Sequence, residues 1–336
     1  MTAPGESRTN DPTFVRGEGA AASGRPNERL SEMDLPQLYA LHALLVERSV
    51  SGAAKRLARS QPTLSAVLAR LRRYFHDELL VRRGNIYALT SFAEQLLPLT
   101  SVAVATVERV FSAEPVFAPA STQREFSIVA SDYGMGVVGR LLVAKLLAEA
   151  PLARVRFVAP TPEAISRRDE FYRTVDGLLL PHGYIDLPRH QDLYADRWVC
   201  IVSSDNTRVG SELTMADLNE LSWIATYEDP LIRVPAWRQM EILGITPRVC
   251  AVADTFLALP ELVRGTEAIS LVQYRVASLA VAKGQVRVLD CPFDAAPIIE
   301  SFWWHPMHDS DPAHIWLRGI LRRLSSELRA ADEQRL

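Results

Sequence analysis

Ser60-Gln61-Pro62-Thr63-Leu64-Ser65-Ala66, followed by Arg70 and Arg73, is the stretch whose chemistry is easiest to read. Hydroxyls and a carboxamide at the start of a helix can reach base edges, and arginines one or two turns later can reach phosphates. Ser60 is an N-cap residue, and Pro62 falls in the first turn, where its missing N–H costs nothing. Stepping about 100° per residue from Gln61 places Leu64, Val67, Leu68, Leu71 and Phe75 on one face. Pro62, Ser65, Ala66, Ala69, Arg70 and Arg73 lie opposite. This division suits a helix that buries one side and reads a polyanion with the other. The candidate DNA contacts are Ser51, Gln61, Pro62, Thr63, Ser65, Ala66, Arg70, Arg73, Arg82 and Arg83. The plainer reading is an amphipathic surface helix with no partner.

Enzyme signatures are absent. The chain has no GxSxG, HExxH, Walker loop or GxGxxG after a strand, and Gly134-Met135-Gly136 is too short for a nucleotide loop. His305 and His308 invite a metal reading. They lie at a strand end followed by Pro306 with no assured third ligand, so hydrogen-bonded turn histidines are the default and no metal or cofactor is expected. Cys200, Cys250 and Cys291 are far apart in sequence and odd in number. They provide neither a disulfide framework nor a CxxC motif, and three reduced, mostly buried thiols are expected.

The elements that must position the reading helix follow from periodicity. Leu38, Leu41, Leu44 and Leu45 repeat at three and four after Asp34 and Pro36, giving a first helix. A short second helix carries Ala53, Ala54 and Leu57 inward, and the third continues to about Tyr74. Residues 79–83 and 86–89 form a small hairpin with its turn at Gly84-Asn85. Ser91-Phe92-Ala93-Glu94 reads as a capping box that opens a long apolar helix to about Phe111, which Pro98 should kink or reset. Its Leu and Val content calls for a partner helix. Residues 1–32 are polar and aperiodic and read as a disordered tail, with Met33 as a candidate start.

Beyond a Pro- and Ser-containing linker, strands alternate with helices, which implies mainly parallel sheets covered on both faces. Strands are expected at 126–130, 155–159, 175–180, 198–202, 223–225, 248–252, 269–272, 286–289 and 298–304. Helices are expected at 137–148, after Pro162, at 236–243, 256–263 and 311–329. No apolar run approaches a membrane span and the N-terminus lacks a signal-peptide core, so a cytoplasmic location with no membrane partner is expected.

Charge supports the division. The 336 residues carry 37 Lys and Arg against 40 Asp and Glu, a formal charge of −3 that excludes a uniformly basic packaging protein. Nine of the basic and two of the acidic residues fall between Arg48 and Arg83, leaving 28 basic and 38 acidic elsewhere. A basic module is joined to an acidic body, which points to a polyanion partner for the first part alone.

Residues 35–98 resemble the DNA-binding domain of LysR-type transcriptional regulators. The resemblance rests on Ser49, Ala53-Ala54-Lys55-Arg56-Leu57, Ser60-Gln61-Pro62-Thr63-Leu64-Ser65 and Asp77-Glu78-Leu79-Leu80-Val81-Arg82-Arg83, and it extends over about 33–330. Within the family the chain is most similar to the nodulation and aromatic-degradation branch, by Ala69-Arg70-Leu71-Arg72-Arg73-Tyr74-Phe75, Ala130-Ser131-Asp132-Tyr133, Trp303-Trp304-His305-Pro306 and Asp311-Pro312-Ala313-His314. Many members carry a basic residue where this chain has Ala66.

The resemblance implies an α+β and α/β two-domain chain. Its parts would be a winged helix-turn-helix (33–90), a linker dimerisation helix (91–113), a linker (114–124), and a sensor (125–330) of the type 2 periplasmic-binding-protein kind. The sensor's lobe I would comprise 125–182 and 290–330, and its lobe II 188–284. It further implies a DNA-binding regulator that recognises an interrupted inverted repeat, a small effector that is commonly aromatic in this branch, self-association to dimers and tetramers, and RNA polymerase as a further partner. The rival reading is a two-lobed enzyme or binding protein with an incidental N-terminal domain.

In open α/β sheets ligands sit at strand C-terminal ends and helix N-termini. Ser131, Asp132 and Tyr133, Thr161, His182, Tyr227, Thr255 at the head of helix 256–263, and Gln273 are therefore the effector-binding candidates. Each has a competing reading as a cap or core residue. Ser131 suits a carboxylate or phenolate. Asp132 opposes an anion and could cap the helix instead, which leaves room for a phenol or a neutral aromatic.

Overall fold

The computed structural model describes residues 33–83, 86–111, 117–162, 171–227 and 233–333. The expected tail at 1–32, the Gly84-Asn85 turn, most of the linker and the body of the helix after Pro162 lie outside these residues. The chain divides at Ala88/Leu89 into two units.

In the first unit, three helices are each started by a side-chain cap. Asp34 Oδ1 accepts the Gln37 N–H at 2.9 Å to open α1 (Leu35–Glu47). Ser49 Oγ accepts the Gly52 N–H at 3.2 Å to open α2 (Val50–Arg56), and Ser60 Oγ accepts the Thr63 N–H at 3.3 Å to open α3 (Gln61–Phe75). Each cap satisfies a backbone donor that has no partner within its helix and contributes about 1 kcal/mol. Leu41, Leu44 and Leu45 of α1, Ala53 and Ala54 of α2, and Leu64, Leu68 and Leu71 of α3 are buried together with Leu79 and Leu80. Strands β1 (Leu80–Arg83) and β2 (Ile86–Leu89) make the wing. Arg72 ties α3 to its root, donating from Nε to the Glu78 carbonyl at 2.8 Å and from a terminal nitrogen to the Leu80 carbonyl at 2.9 Å.

The second unit begins with α4 (Ser91–Phe111), which runs through Pro98 without resetting. The expected capping box is displaced by one residue. Thr90 Oγ1 accepts the Ala93 N–H at 3.1 Å, and Ser91 is already helical. Threonine at the preceding position performs the same capping chemistry, so the S-x-x-E pattern misplaced the boundary.

Two five-stranded sheets follow. Lobe I has the order β4-β3-β5-β12-β6, from β3 (Glu125–Ala130), β4 (Arg154–Val158), β5 (Gly177–Pro181), β6 (His190–Asp196) and β12 (Ile298–Trp303). Lobe II has the order β11-β7-β10-β8-β9, from β7 (Trp198–Ser203), β8 (Ser222–Thr226), β9 (Arg248–Ala253), β10 (Ile269–Gln273) and β11 (Val286–Asp290). The helix 132–149 (α5), with a π-helical turn at Met135–Gly139, follows β3. In lobe II, α6 (Met215–Glu220), α7 (Pro235–Ile242), α8 (Leu259–Val263) and α9 (Tyr274–Val281) accompany the strands, and α10 (Pro312–Glu333) closes the chain on lobe I.

The sheets are mixed rather than mainly parallel. β3 pairs in parallel with β4 and β5, and β8 with β9 and β10, whereas β7, β11, β12 and β6 pair antiparallel with their neighbours. The antiparallel strands are those next to a lobe crossing, where the chain enters or leaves a sheet without a βαβ turn. One of them corrects the lobe boundary. His190–Asp196, assigned from sequence to a lobe II beginning at 188, pairs with β12 in lobe I, so the first crossing is at Arg197.

Lobe I is pinned by a largely buried ion network. Arg124 bonds Asp176 at 2.7 Å and Asp311 through both carboxylate oxygens, and Asp176 also accepts the Ser127 N–H at 2.7 Å. The two acids are thus held by one guanidinium between β3, the start of β5 and the start of α10.

Candidate functional site

On α3 the expected reading face is exposed as a set. Gln61, Pro62, Thr63, Ser65, Ala66, Ala69, Arg70 and Arg73 all face solvent, opposite the buried Leu64, Leu68 and Leu71. Exposed Ser51 stands at the start of α2, 3.0 Å from Ser49 Oγ. The Thr63 hydroxyl is shared with the Ser60 cap at 2.7 Å, so part of its hydrogen-bonding capacity serves the helix start. Arg82 is exposed on the wing, and the Arg83 side chain lies outside the described set. Arg72 is withdrawn from any reading role by its bonds to the wing root. The resulting surface is small near the helix start and cationic further along, which fits close backbone approach to a groove flanked by phosphates.

The sensor's candidate site is a cavity of about 30 Å³ between the lobes. Ser131, Tyr133, Pro160, Leu180, Pro181, Tyr184, Ile298 and Glu300 line it from lobe I, and Trp198, Tyr227, Phe256 and Gln273 from lobe II. Phe256 is the hub, with ring centroids 6.4 Å from Tyr133, 6.2 Å from Trp198 and 5.6 Å from Tyr227. Burial raises the Tyr227 hydroxyl and drives the Tyr133 hydroxyl well up, so both stay protonated. Tyr133 Oη donates to Asp196 at 2.6 Å. A cavity that holds a single aromatic ring measures about 150 Å³, so this cleft must open to admit one.

The sequence candidates separate here. Ser131, Tyr133, Tyr227 and Gln273 border the cavity. Ser131 Oγ is also the helix cap, accepting the Gly134 N–H at 3.1 Å. Asp132 is not a lining residue. Its carboxylate crosses to lobe II, where it accepts the Thr255 hydroxyl and the Leu257 N–H at 2.8 Å, forming a latch. Thr255 does not head a helix, because α8 starts at Leu259 and the intervening turn brings the hydroxyl to Asp132. Thr161 is exposed outside the lining, although its neighbour Pro160 contributes. His182 lies outside as well, with its Nε2 2.8 Å from Asp192 Oδ1.

Sequence reasoning missed Tyr184, Trp198, Phe256 and Glu300 as site residues. Glu300 carried a signal. In Ile298-Ile299-Glu300-Ser301-Phe302-Trp303 it shares a strand face with Ile298 and Phe302, so it is a carboxyl among apolar residues at period two.

His305 and His308 are engaged with backbone: His305 Nδ1 accepts the Met307 N–H at 3.2 Å, and His308 Nε2 lies 3.1 Å from the Val175 carbonyl. Burial lowers His308 to about 4. Among the described residues, the group able to hold a metal is His182, His190 and Asp192, whose donor atoms lie within 4.8 Å of one another. The thiols also depart from expectation. Cys250 is exposed, whereas Cys200 and Cys291 bring their sulfurs to 4.0 Å, because Cys291 leaves β11 beside β7.

Comparison with known proteins decides the family. Residues 35–94 match the family described as bacterial regulatory helix-turn-helix protein, lysR family, and residues 178–326 match the LysR substrate binding domain. Nodulation protein D 2 of Bradyrhizobium diazoefficiens is 31% identical over 313 residues, covering 92% of this chain and 93% of its own. The chain belongs to the LysR family of transcriptional regulators. Nodulation protein D 2 of Rhizobium tropici is 30% identical over 305 residues, covering 89% of this chain and 95% of its own. A probable transcriptional regulator of Pseudomonas aeruginosa shares the architecture at 26% identity and a TM-score of 0.64, covering 89% of this chain and 99% of its own. This LysR regulator is accordingly a DNA-binding protein with an effector-binding domain, and not an enzyme. No described helix of the LysR chain is long and apolar enough to cross a membrane.

Proposed function

We propose that this LysR regulator acts in the cytoplasm, binds an interrupted inverted repeat through paired α3 helices and wings, and responds to a small aromatic effector held between the sensor lobes. Tyr133, Tyr184, Trp198, Tyr227 and Phe256 around one interlobe cavity carry the effector reading. Aromatic walls with few polar groups are the usual lining of a small-molecule site. The apolar α4 pairs with its mate, since Leu99, Val110 and Phe111 are exposed on a helix with only three charged residues. Dimers joined further into tetramers would present four reading helices, and the effector changes their placement and the access of RNA polymerase. An effector acts only through unequal affinity for two states, and the Asp132 latch supplies a contact made when the lobes are closed.

The test is a gel-shift and transcription assay on the promoter region beside the regulator's own gene, with and without an aromatic effector found by screening. Phe256→Ala should abolish the effector response while leaving DNA binding intact. An undiminished response would refute the cavity assignment.

A further inference from the structure

Two polar groups in the interlobe cavity have no hydrogen-bond partner. Glu300 is 1% exposed with neither carboxyl oxygen bonded, and Gln273 is 3% exposed with its carboxamide oxygen unbonded. Both border the same small cavity. Buried polar groups are almost always bonded, and an orphan costs more than the bond it lacks contributes, so two facing one aromatic space require an explanation.

The surroundings determine the state of Glu300. Among the described lining residues there is no Lys, Arg or His, and the groups facing Glu300 are Tyr133 of α5, Tyr184 of the loop after β5, and Tyr194 and Asp196 of β6. Asp196 is engaged by the Tyr133 hydroxyl and lies 3.8 Å from Arg275. Burial first, and then the Asp196 charge, raise the Glu300 carboxyl to about 8. At neutral pH it is an acid O–H, a donor without charge.

We propose that Glu300 and Gln273 together select an uncharged phenolic hydroxyl on the effector, the Glu300 O–H donating to the phenol oxygen and the phenol O–H donating to the Gln273 carboxamide oxygen. A hydroxyl is both acceptor and donor, so one group satisfies both orphans. A carboxylate offers no donor to Gln273 and meets no cation among the described lining residues. An ether accepts from Glu300 but leaves Gln273 unsatisfied. Glu300 and Gln273 are thus specificity residues, and the proposal rests on the interlobe cavity being the effector site.

Three ring-matched probes test it by calorimetry on the full chain: 2-naphthol, 2-methoxynaphthalene and 2-naphthoate. At pH 6.5, 2-naphthol should bind at least ten-fold more tightly than the other two. Its affinity should fall about ten-fold as pH rises to 9, and Glu300→Gln, which keeps a neutral donor, should flatten that fall. Gln273→Leu should bring 2-naphthol down to the level of the ether without changing the ether, which gives a readout independent of the Glu300 variant. Tighter binding of 2-naphthoate, an unchanged pH dependence in Glu300→Gln, or no binding of 2-naphthol at 1 mM would overturn the proposal. Phe256→Ala separates the two readings. If 2-naphthol still binds that variant, the cavity assignment fails; if binding is lost there but 2-naphthoate is preferred by the parent, only the role of Glu300 and Gln273 fails.

Discussion

Replacing Glu300 by Gln should stabilise the sensor in a strongly pH-dependent way. The folded carboxyl titrates at about 8 because it is buried without a partner near Asp196, while in the unfolded chain it titrates at its ordinary value of 4.5. Between these values the folded state holds a proton that the unfolded state has released, so the Glu300 contribution is fully present below 4.5 and is lost as pH rises to 8. At about 1.4 kcal/mol per pH unit, the loss is about 5 kcal/mol over the whole window and about 3 kcal/mol by pH 7. Gln has nearly the same shape and no charge to bury. The variant should exceed the parent by less than about 1 kcal/mol at pH 5, by about 3 kcal/mol at pH 7, and by about 5 kcal/mol at pH 8.5. Urea unfolding followed by tryptophan fluorescence measures this directly, because all six tryptophans lie in the second unit and the signal is blind to the DNA-binding unit. A variant-minus-parent difference that stays constant from pH 5 to pH 8.5 would refute the assignment of Glu300 as a buried neutral acid.

Removing the two exposed arginines proposed to reach phosphate, Arg70→Ala with Arg73→Ala, should weaken operator binding and reduce the slope of log affinity against log salt by about 2, as measured by fluorescence anisotropy; an unchanged slope would remove α3 from the interface. Arg124→Ala should destabilise the sensor by about 2–4 kcal/mol in the same urea assay, because the buried Asp176 and the half-buried Asp311 would be left without their cation. Asp132→Ala deletes both bonds of the interlobe latch and should accelerate hydrogen exchange at Leu257, with unchanged exchange counting against the latch. Val110→Glu with Phe111→Lys should shift sedimentation toward smaller species, since these apolar side chains are 67% and 75% exposed in one chain and are proposed to pack against a partner.

The exposed face of α3 was legible because it is local. Three capped helices and a period of 3.6 determine which side of α3 is buried, and the residues assigned outward by counting are the exposed ones. The sensor site was legible only where a strand runs into a helix, as at Ala130-Ser131. Phe256 and Glu300 reach the cavity from positions 58 and 102 residues beyond Trp198, and no periodicity signals such convergence. Asp132 was recognised as a poor neighbour for an anion, yet its role as a latch depends on a turn at Thr255 that the sequence read as helix. The pairing of β6 was hidden for a similar reason. A strand beside a lobe crossing can join either sheet, and the choice is made by β12, about a hundred residues away.

A latched cleft with room for about 30 Å³ also constrains timing. An effector larger than that enters only chains whose lobes have parted, so the observed affinity is the intrinsic one scaled by the open fraction. Binding then saturates in rate: beyond some concentration, more effector produces no faster response, and the switching time is set by how often Asp132 releases Thr255 and Leu257. Substitutions at those three positions would tune the delay and the threshold of the regulator together, without touching a residue that contacts either DNA or effector.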